Sequence, residues 1–268
     1  MPDLLDRIER YYNALPRSWG ARAEEIGPLT VFVNVSAPWP LYGRPTPGAG
    51  GISSADVAAV RRRMRQLAVP ETFEWVHEVT PTLRAAALAT GLAVSDHPLL
   101  TLTSPVDAPA VDAEVRAVRP DDDLPTVLAA AHVGFGLPGT AQGGAGVPEL
   151  RRAAAERSDG EVTAERRDLE SRAAVRWAAW VDGEPVCTGR FTPVDGVAEL
   201  VGVGTVPAYR RRGLGAAVTA DLTADALARG VEVVFMSADD DDVARIYRRL
   251  GFADAGTACI AAPPGTPL

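Results

Sequence analysis

A basic, glycine-containing turn is the segment whose residues are best suited to chemistry. Arg210, Arg211 and Arg212 precede Gly213 and Gly215, between an apolar strand pattern and a helical pattern. Unpaired N–H groups at a helix start, reinforced by the helix dipole, bind anions. Glycines allow the backbone to approach a phosphate closely, and the arginines add positive charge. The turn therefore predicts a pyrophosphate site.

Two common nucleotide-binding loops do not fit this segment. Pro207 stands where the dinucleotide motif G-x-G-x-x-G has its third glycine, and Gly202 and Gly204 lie inside the strand instead of the turn. The ATP-type loop needs a lysine, and the chain contains no lysine. A Schiff-base lysine is excluded for the same reason. The pattern that fits is R-x-x-G-x-G, from Arg210 to Gly215.

The elements around the turn alternate as in a mixed α/β sheet protein. Asp-Gly pairs at 182 and 195 predict hairpin turns between three strands within residues 173–206. The other elements that the patterns predict are a strand at 114–118, helices at 124–133, 148–157, 213–229 and after Asp239–Asp242, and strands at 231–236 and 257–261.

At this point the sequence resembles the GNAT superfamily of N-acetyltransferases, over about residues 112–262. The resemblance is strongest in V-x-P-x-Y-R-x-R-G-x-G, with Thr205 in the valine place, and in Ile246-Tyr-Arg-Arg-Leu-Gly-Phe252. It implies an acetyl-CoA-dependent N-acetyltransferase domain. One departure is Asp240, which stands where this family often has Asn and which belongs to the implied coenzyme contacts.

The resemblance also implies a path for the coenzyme. The turn and helix start would bind the pyrophosphate through backbone N–H groups, and the end of the preceding strand would pair with the pantetheine arm. The Thr205 N–H would polarise the thioester carbonyl. The residues implied are Val203, Gly204, Thr205 and Val206 on the strand, and Arg211, Arg212, Gly213, Leu214, Gly215 and Ala216 in the turn and helix start.

Two side chains gain catalytic roles from the same resemblance. Glu199 would accept the proton of the attacking amine, directly or through water, because alkyl amines with a pKa of about 10.4 are protonated at pH 7. Tyr247 would return a proton to the leaving thiolate. Each has a structural alternative: Glu199 as a solvent-facing strand residue, and Tyr247 as a core aromatic. A primary amine would attack the thioester directly, since neither motif contains a cysteine.

The acceptor side is less well defined by the sequence. His132 and Trp177 are candidate substrate residues, and the six-glycine loop at 134–146 is either a substrate lid or disordered. The Asp239–Asp242 run is interpreted as helix capping and not as a metal site, so no metal is predicted. Small-molecule amines and peptide amines both remain possible acceptors.

Composition limits the other functions. The chain has 268 residues, 47% of them hydrophobic and 23% charged, and a net charge of −8, which argues against nucleic acid as a partner. No apolar run is long enough to cross a membrane, and the start lacks a signal-peptide pattern. We therefore expect a cytoplasmic protein with two buried free thiols, Cys187 and Cys259.

The N-terminal part repeats half of the pattern found in the C-terminal part. It reads strand (29–35), helix (55–67), strand (72–79), helix (81–90), strand (99–102), the order found after residue 197. A Pro-containing linker at 105–112 predicts a domain boundary near residue 110. Together with the resemblance, the repeated order implies a degenerate GNAT-like half-domain at 1–107 and a GNAT-like catalytic domain at 112–268. Pro45 and Pro47 remove two backbone donors that a phosphate site in the loop at 36–54 would use, so this half is expected to be a scaffold, with one acetyl-CoA bound per chain. The alternative function is that of a non-catalytic acetyl-CoA sensor. A further possibility is self-association into a homodimer through the apolar N-terminal strands.

Overall fold

The computed structural model describes residues 2–33, 41–137 and 139–266, without the side chains of residues 2 and 3. Three predicted segments fall partly outside these ranges: the strand at 29–35, the loop at 36–54 and the loop at 134–146. Within the ranges, the helices are α1 (Pro2–Ser18), α2 (Ser54–Gln66), α3 (Thr82–Ala89), α4 (Leu124–Phe135), α5 (Val147–Ala155), α6 (Asp159–Glu170), α7 (Leu214–Ala228) and α8 (Asp241–Arg248), with a 3₁₀ turn at Pro207–Tyr209. The strands are β1 (Arg22–Ile26), β2 (Leu29–Val33), β3 (Arg44–Pro45), β4 (Phe73–Val76), β5 (Ala93–Leu102), β6 (Glu114–Ala117), β7 (Val175–Val181), β8 (Glu184–Val194), β9 (Val197–Thr205), β10 (Val233–Ser237) and β11 (Phe252–Ala262).

These elements form two compact units. The first contains the described residues of 1–99, 237–240 and 254–268, and the second contains those of 100–236 and 241–253. The domain division at residues 107 and 112 stays a prediction.

The first unit combines two small groups of strands with three helices. β1, β2 and β3 form an antiparallel sheet, and β11 pairs with β4 antiparallel. Strand aromatics and helix aliphatics share one core, which includes Phe73, Trp75, Val57, Val60 and Leu83. α2 begins with a capping box, in which Ser53 and Asp56 bond each other's backbone N–H groups. The sequence prediction that Ser53 or Ser54 caps this helix is therefore confirmed for Ser53.

Helix α1 was not predicted from the sequence. Its buried residues Ile8, Tyr11, Tyr12 and Leu15 have the i, i+3, i+4, i+7 spacing of an amphipathic helix. This spacing is visible in the sequence and indicates the helix.

The buried face of α1 carries a carboxyl group. Glu9 is 3% exposed; its Oε2 accepts the Val76 N–H at 2.7 Å, and its Oε1 has no hydrogen-bond partner among the described residues. Burial raises the pKa of Glu9 to about 8, although the Val76 bond and the nearby Arg44 charge lower it. The carboxyl is therefore mainly protonated at pH 7, which removes most of the cost of burying it.

Replacing Glu9 by Gln is expected to change how stability depends on pH. The folded-state pKa of about 8 exceeds the ordinary 4.5, so the folded state holds the proton more tightly. Wild type should therefore lose unfolding free energy as pH rises from about 4.5 to about 8, at about 1.4 kcal/mol per unit. The variant should lack this loss and be a few kcal/mol more stable at pH 8. Urea unfolding at pH 5, 7 and 8.5 measures it, with exposed Glu25→Gln as the control; parallel pH profiles for wild type and Glu9→Gln would contradict the assignment.

The second unit is built on a mixed sheet. Its strands lie in the order β10-β9-β8-β7-β6, antiparallel except for the parallel pair of β9 and β10. The predicted hairpin turns are confirmed: Asp182-Gly183 and Asp195-Gly196 all have positive φ, as type I′ turns require. The mixed α/β fold class is thus the one that the sequence predicts.

Helices cover both faces of this sheet. A Cβ added to Gly204 would lie 3.0 Å from the Ala131 Cα of α4, whereas a Cβ added to Gly189 would meet Leu222 and Val218 of α7. The Val203 side chain lies on the α7 side, 3.0 Å from the same added Cβ of Gly189. Gly204, the next residue of β9, faces α4, so successive residues of the strand face opposite helices. β9 is therefore enclosed by α4 on one face and α7 on the other.

Helix α6 is the second element absent from the sequence prediction. Its signal was a capping box, since Ser158 and Glu161 bond each other's backbone N–H groups. The helix places buried Glu165 against Arg176 and Arg190, each at 2.7 Å. This ion-pair cluster fixes α6 to the sheet beside the site.

Candidate active site

The central strands of the second unit separate where the site begins. β10 pairs with β9 only from Val233↔Val197 to Phe235↔Glu199, whereas β9 continues to Thr205. Beyond Glu199, β9 thus has an edge without β10 pairing. A split between two central strands of a sheet can receive an extended ligand that pairs with the exposed backbone.

The backbone of β9 directs N–H groups to this edge. Val206 N–H donates to Val186 O of β8 at 2.8 Å. Because N–H directions alternate along an antiparallel strand, those of Val203 and Thr205 point away from β8, toward the open side. These are two of the residues that the resemblance assigned to the pantetheine arm.

A bulge marks the start of the open edge. The pairing passes from Thr188↔Gly204 to Arg190↔Val201, so one extra residue lies on β9. Gly202 has φ +64°, a left-handed conformation that a glycine adopts without strain. The bulge bends β9 at the place where the two strands separate.

The turn after β9 leads to an uncapped helix start. Arg211 and Gly213 are left-handed, with φ +61° and +78°, and no side chain caps α7 at Gly213. The first helical bond at this end joins Ala217 N–H to Gly213 O, so the N–H groups of Leu214, Gly215 and Ala216 have no acceptor within the helix. The predicted anion-binding geometry is present in this part of the chain.

The three arginines of the turn have different environments. Arg211 and Arg212 are exposed, and Arg212 donates to Asp112 O at 3.3 Å and lies over the Tyr209 ring. Arg210 is buried and donates to four carbonyl oxygens, which corrects the expectation that all three arginines supply charge to an anion. The turn offers two exposed cations.

Tyr247 lies on the buried face of α8. Its ring meets Phe252 edge-on at 6.2 Å, burial raises the pKa of the phenol well above its ordinary 10, and the Cys187 thiol adds to the shift. Cys187 pairs across the sheet with Thr205, whose hydroxyl donates to its Sγ at 3.2 Å. Burial likewise raises the pKa of Cys187 to about 12. Near the end of β9 there is consequently a neutral phenol beside a neutral thiol.

Glu199 is buried at the point of strand separation. It pairs with Thr192 of β8 and is the last β9 residue paired with β10. The solvent-facing alternative is therefore wrong. At about 3.3 Å per residue, Glu199 lies roughly 13 Å along the strand from Val203 and roughly 20 Å from Thr205. A proton from an amine that attacks beside Val203 or Thr205 could reach Glu199 only through water.

A cavity of about 400 Å³ lies beside the end of β9. Its walls come from α4, α5 and the loop that joins them, and it includes His132, which the sequence predicted to line a substrate pocket. Glu149, Arg152 and Glu156 supply charge, while Leu137, Ala153 and Pro207 supply apolar surface. The volume suits a small organic molecule.

Comparison with known proteins agrees with this geometry. The acetyltransferase (GNAT) family profile matches residues 147–252, which include the bulged strand, the turn, α7 and Tyr247. Residues 147–252 thus match a GNAT acetyltransferase domain. A GCN5-related N-acetyltransferase from Kribbella flavida is 27% identical over 96% of both chains, with a TM-score of 0.68.

More distant structures share the fold. An acetyltransferase of the GNAT family from Novosphingobium aromaticivorans is 19% identical over 97% of both chains, with a TM-score of 0.56. A tandem GNAT protein of clavulanic acid biosynthesis is 17% identical, covers 89% of this chain and 79% of its own, and has a TM-score of 0.54. A match that extends across the N-terminal part agrees with a GNAT-like half-domain there. Among functionally curated proteins, none matches the sequence.

Two of the predicted site residues, Trp177 and Asp240, are not part of the open edge of β9, the turn or the cavity wall described above. Trp177 donates from Nε1 to Asp225 of α7 at 3.0 Å, on the face opposite α4 and His132. Asp240 is exposed just before α8. Their assignments to substrate and coenzyme stay predictions. None of the helices in the described ranges is both long and apolar enough to span a bilayer.

Proposed function

We propose that this protein transfers the acetyl group of acetyl-CoA to a primary amine. The observation that carries the proposal is the continuous path from the open edge of β9 to the uncapped start of α7. An extended arm with amides fits the first part of this path, and a pyrophosphate fits the second part. Acetyl-CoA has both groups in that order.

The coenzyme contacts follow from the donors along the path. The N–H groups of Thr205 and Val203 would bind the pantetheine arm. The thioester would lie at the Val203 end of this stretch, because a Cβ added to Gly215 at the start of α7 would lie 3.5 Å from Thr205 Oγ1, and Thr205 would therefore be next to the pyrophosphate. The N–H groups of Leu214–Ala216 would bind the pyrophosphate, with the exposed Arg211 and Arg212 adding charge. When bound, the coenzyme supplies an activated acetyl group.

Two side chains would interact with the protons of the reaction, Glu199 on the amine side and Tyr247 on the thiol side. An amine must be neutral to attack, and Glu199 would receive its proton through water because it lies too far along β9 for direct contact. Tyr247 would donate a hydrogen bond to the leaving sulfur. Its raised pKa makes it a weaker acid than the thiol, whose pKa is ordinarily about 8.5, so the phenol stabilises the thiolate without fully transferring its proton.

The acceptor would occupy the cavity beside α4 and α5. His132 lies on its wall, and Glu149 and Glu156 give it more acid than base, which favours an amine. The test is an acetyl-CoA-dependent assay of free-thiol release with spermidine, kanamycin, an alanyl peptide and a lysine ester. Release with one of these amines, and formation of the acetyl amide by mass spectrometry, would support the proposal. Acetyl-CoA binding without release would favour the sensor function, and absence of binding would refute both.

Replacing Glu199 by Gln is expected to lower turnover by about tenfold or more at pH 7 and to have little effect near pH 10. Below the pKa of the amine a base is needed, whereas above it the neutral amine is already abundant. The pH profile of kcat/KM measures this, and Glu199→Asp should retain part of the rate at pH 7. An equal loss at every pH would mean that Glu199 supports the strand or the substrate and does not receive the proton.

A further inference from the structure

Arg210 is the first residue of the R-x-x-G-x-G pattern, yet its guanidinium points away from the anion-binding turn. Nη2 donates to Gly134 O at 2.5 Å and to Leu137 O at 2.7 Å, and Nη1 donates to Ala141 O at 2.9 Å. Nε donates to Thr205 O at 3.3 Å. One buried cation thus joins the end of α4, the loop after it and the last residue of β9.

The loop that Arg210 binds is a wall of the cavity. Gly136, Leu137, Gly144 and Ala145 all line it. The backbone of the Arg210 segment holds the same loop, because Arg210 O accepts from the Gln142 amide at 3.1 Å and Ala208 N–H donates to Ala145 O at 2.9 Å. The backbone bonds hold the second half of the loop, whereas the guanidinium holds its first half.

The partners of Arg210 are carbonyl groups only, among the contacts that the structure describes. Desolvation lowers the pKa of the guanidinium, but an arginine remains charged at any physiological pH. A planar guanidinium can satisfy several carbonyls in fixed directions, which a lysine ammonium cannot do from the same position.

We infer that Arg210 is a positioning residue for the acceptor amine, and that it fixes the cavity wall relative to β9, along which the pantetheine arm and its acetyl group would lie. This inference rests on the proposed acetyl transfer. The three arginines of the motif thus have different roles: Arg211 and Arg212 bind the coenzyme, whereas Arg210 positions the acceptor.

The test compares Arg210→Lys with Arg211→Gln. Arg210→Lys should raise the KM of the best amine in the panel by about tenfold or more, since misplacement of a group by about 1 Å can cost up to about 10²-fold. The calorimetric Kd for acetyl-CoA should stay within about threefold of wild type. Amide hydrogen exchange should rise at residues 136, 137 and 139–141 and not within α7. Arg211→Gln should show the reverse, with weaker acetyl-CoA binding and an unchanged KM for the amine.

The outcomes separate this inference from the proposed function. If Arg210→Lys weakens acetyl-CoA binding as much as Arg211→Gln does, or leaves the amine KM unchanged, the inference is wrong. If wild type neither binds acetyl-CoA nor releases thiol, the proposed function fails before the variants are compared. Arg210→Lys keeps the positive charge, and a thermal melt close to that of wild type would show that it folds.

Discussion

Replacing Tyr247 by Phe is expected to lower kcat by about 10²- to 10³-fold, the usual effect of removing one donor to a developing negative charge. The ring would still pack against Phe252, so the fold and the coenzyme site should persist. The raised pKa of the phenol adds a second expectation. Because Tyr247 stays neutral up to at least pH 10, its ionisation should produce no alkaline fall in the wild-type rate.

Steady-state thiol release with saturating acetyl-CoA and amine measures this effect on kcat. Tyr11→Phe removes a hydroxyl from a buried tyrosine of α1 and is the matched control; its turnover should equal that of wild type. If Tyr247→Phe retains at least a third of the wild-type rate, Tyr247 is structural and does not stabilise the leaving sulfur.

Replacing Ala216 by Glu is expected to weaken acetyl-CoA binding by at least about 10²-fold. Ala216 is the third residue of α7, where a glutamate reaches back to the N-cap N–H and stabilises a helix. The same carboxylate would stand where the pyrophosphate binds. Two like charges about 4 Å apart near a protein surface repel by about 4 kcal/mol, or about 10³-fold in affinity. The thermal melting temperature should therefore not fall while coenzyme binding is lost.

Ala216→Gln separates charge from size, because it has the same shape without the negative charge. Its Kd, measured by calorimetry, should lie within about tenfold of wild type. Ala216 is a better position than Gly213 for this test, since any side chain at Gly213 would be strained at φ +78° and would approach Val111. Equal affinity of wild type and Ala216→Glu would place the pyrophosphate elsewhere.

Local patterns explain why so much of the second unit was predictable. The Asp-Gly pairs at 182 and 195 adopt positive φ readily and so identify the hairpins. Gly213 and Gly215 identify the anion-binding helix start, because Gly213 has no side chain that could cap the helix. Helices α1 and α6 were missed although their signals were present, as apolar spacing in α1 and as the Ser158–Glu161 capping box in α6.

The remaining features depend on contacts distant in sequence. The sequence does not distinguish Arg210 from Arg211 and Arg212, because the carbonyl groups of Gly134 and Ala141 come close to its guanidinium only in the folded chain. Gly202 within a strand indicates a bulge, but the point at which β9 leaves β10 depends on the pairing of Phe235 with Glu199. The roles of Tyr247, Glu199, His132, Trp177 and Asp240 stay predictions.

The position of the coenzyme is the central claim, and a titration of ¹⁵N-labelled protein with acetyl-CoA tests it most directly. The account predicts that the largest amide shift changes occur at Val203, Thr205 and Leu214–Ala216, and that they saturate at one coenzyme per chain. Largest changes in the first unit, a second equivalent of bound coenzyme, or an unchanged spectrum would contradict it.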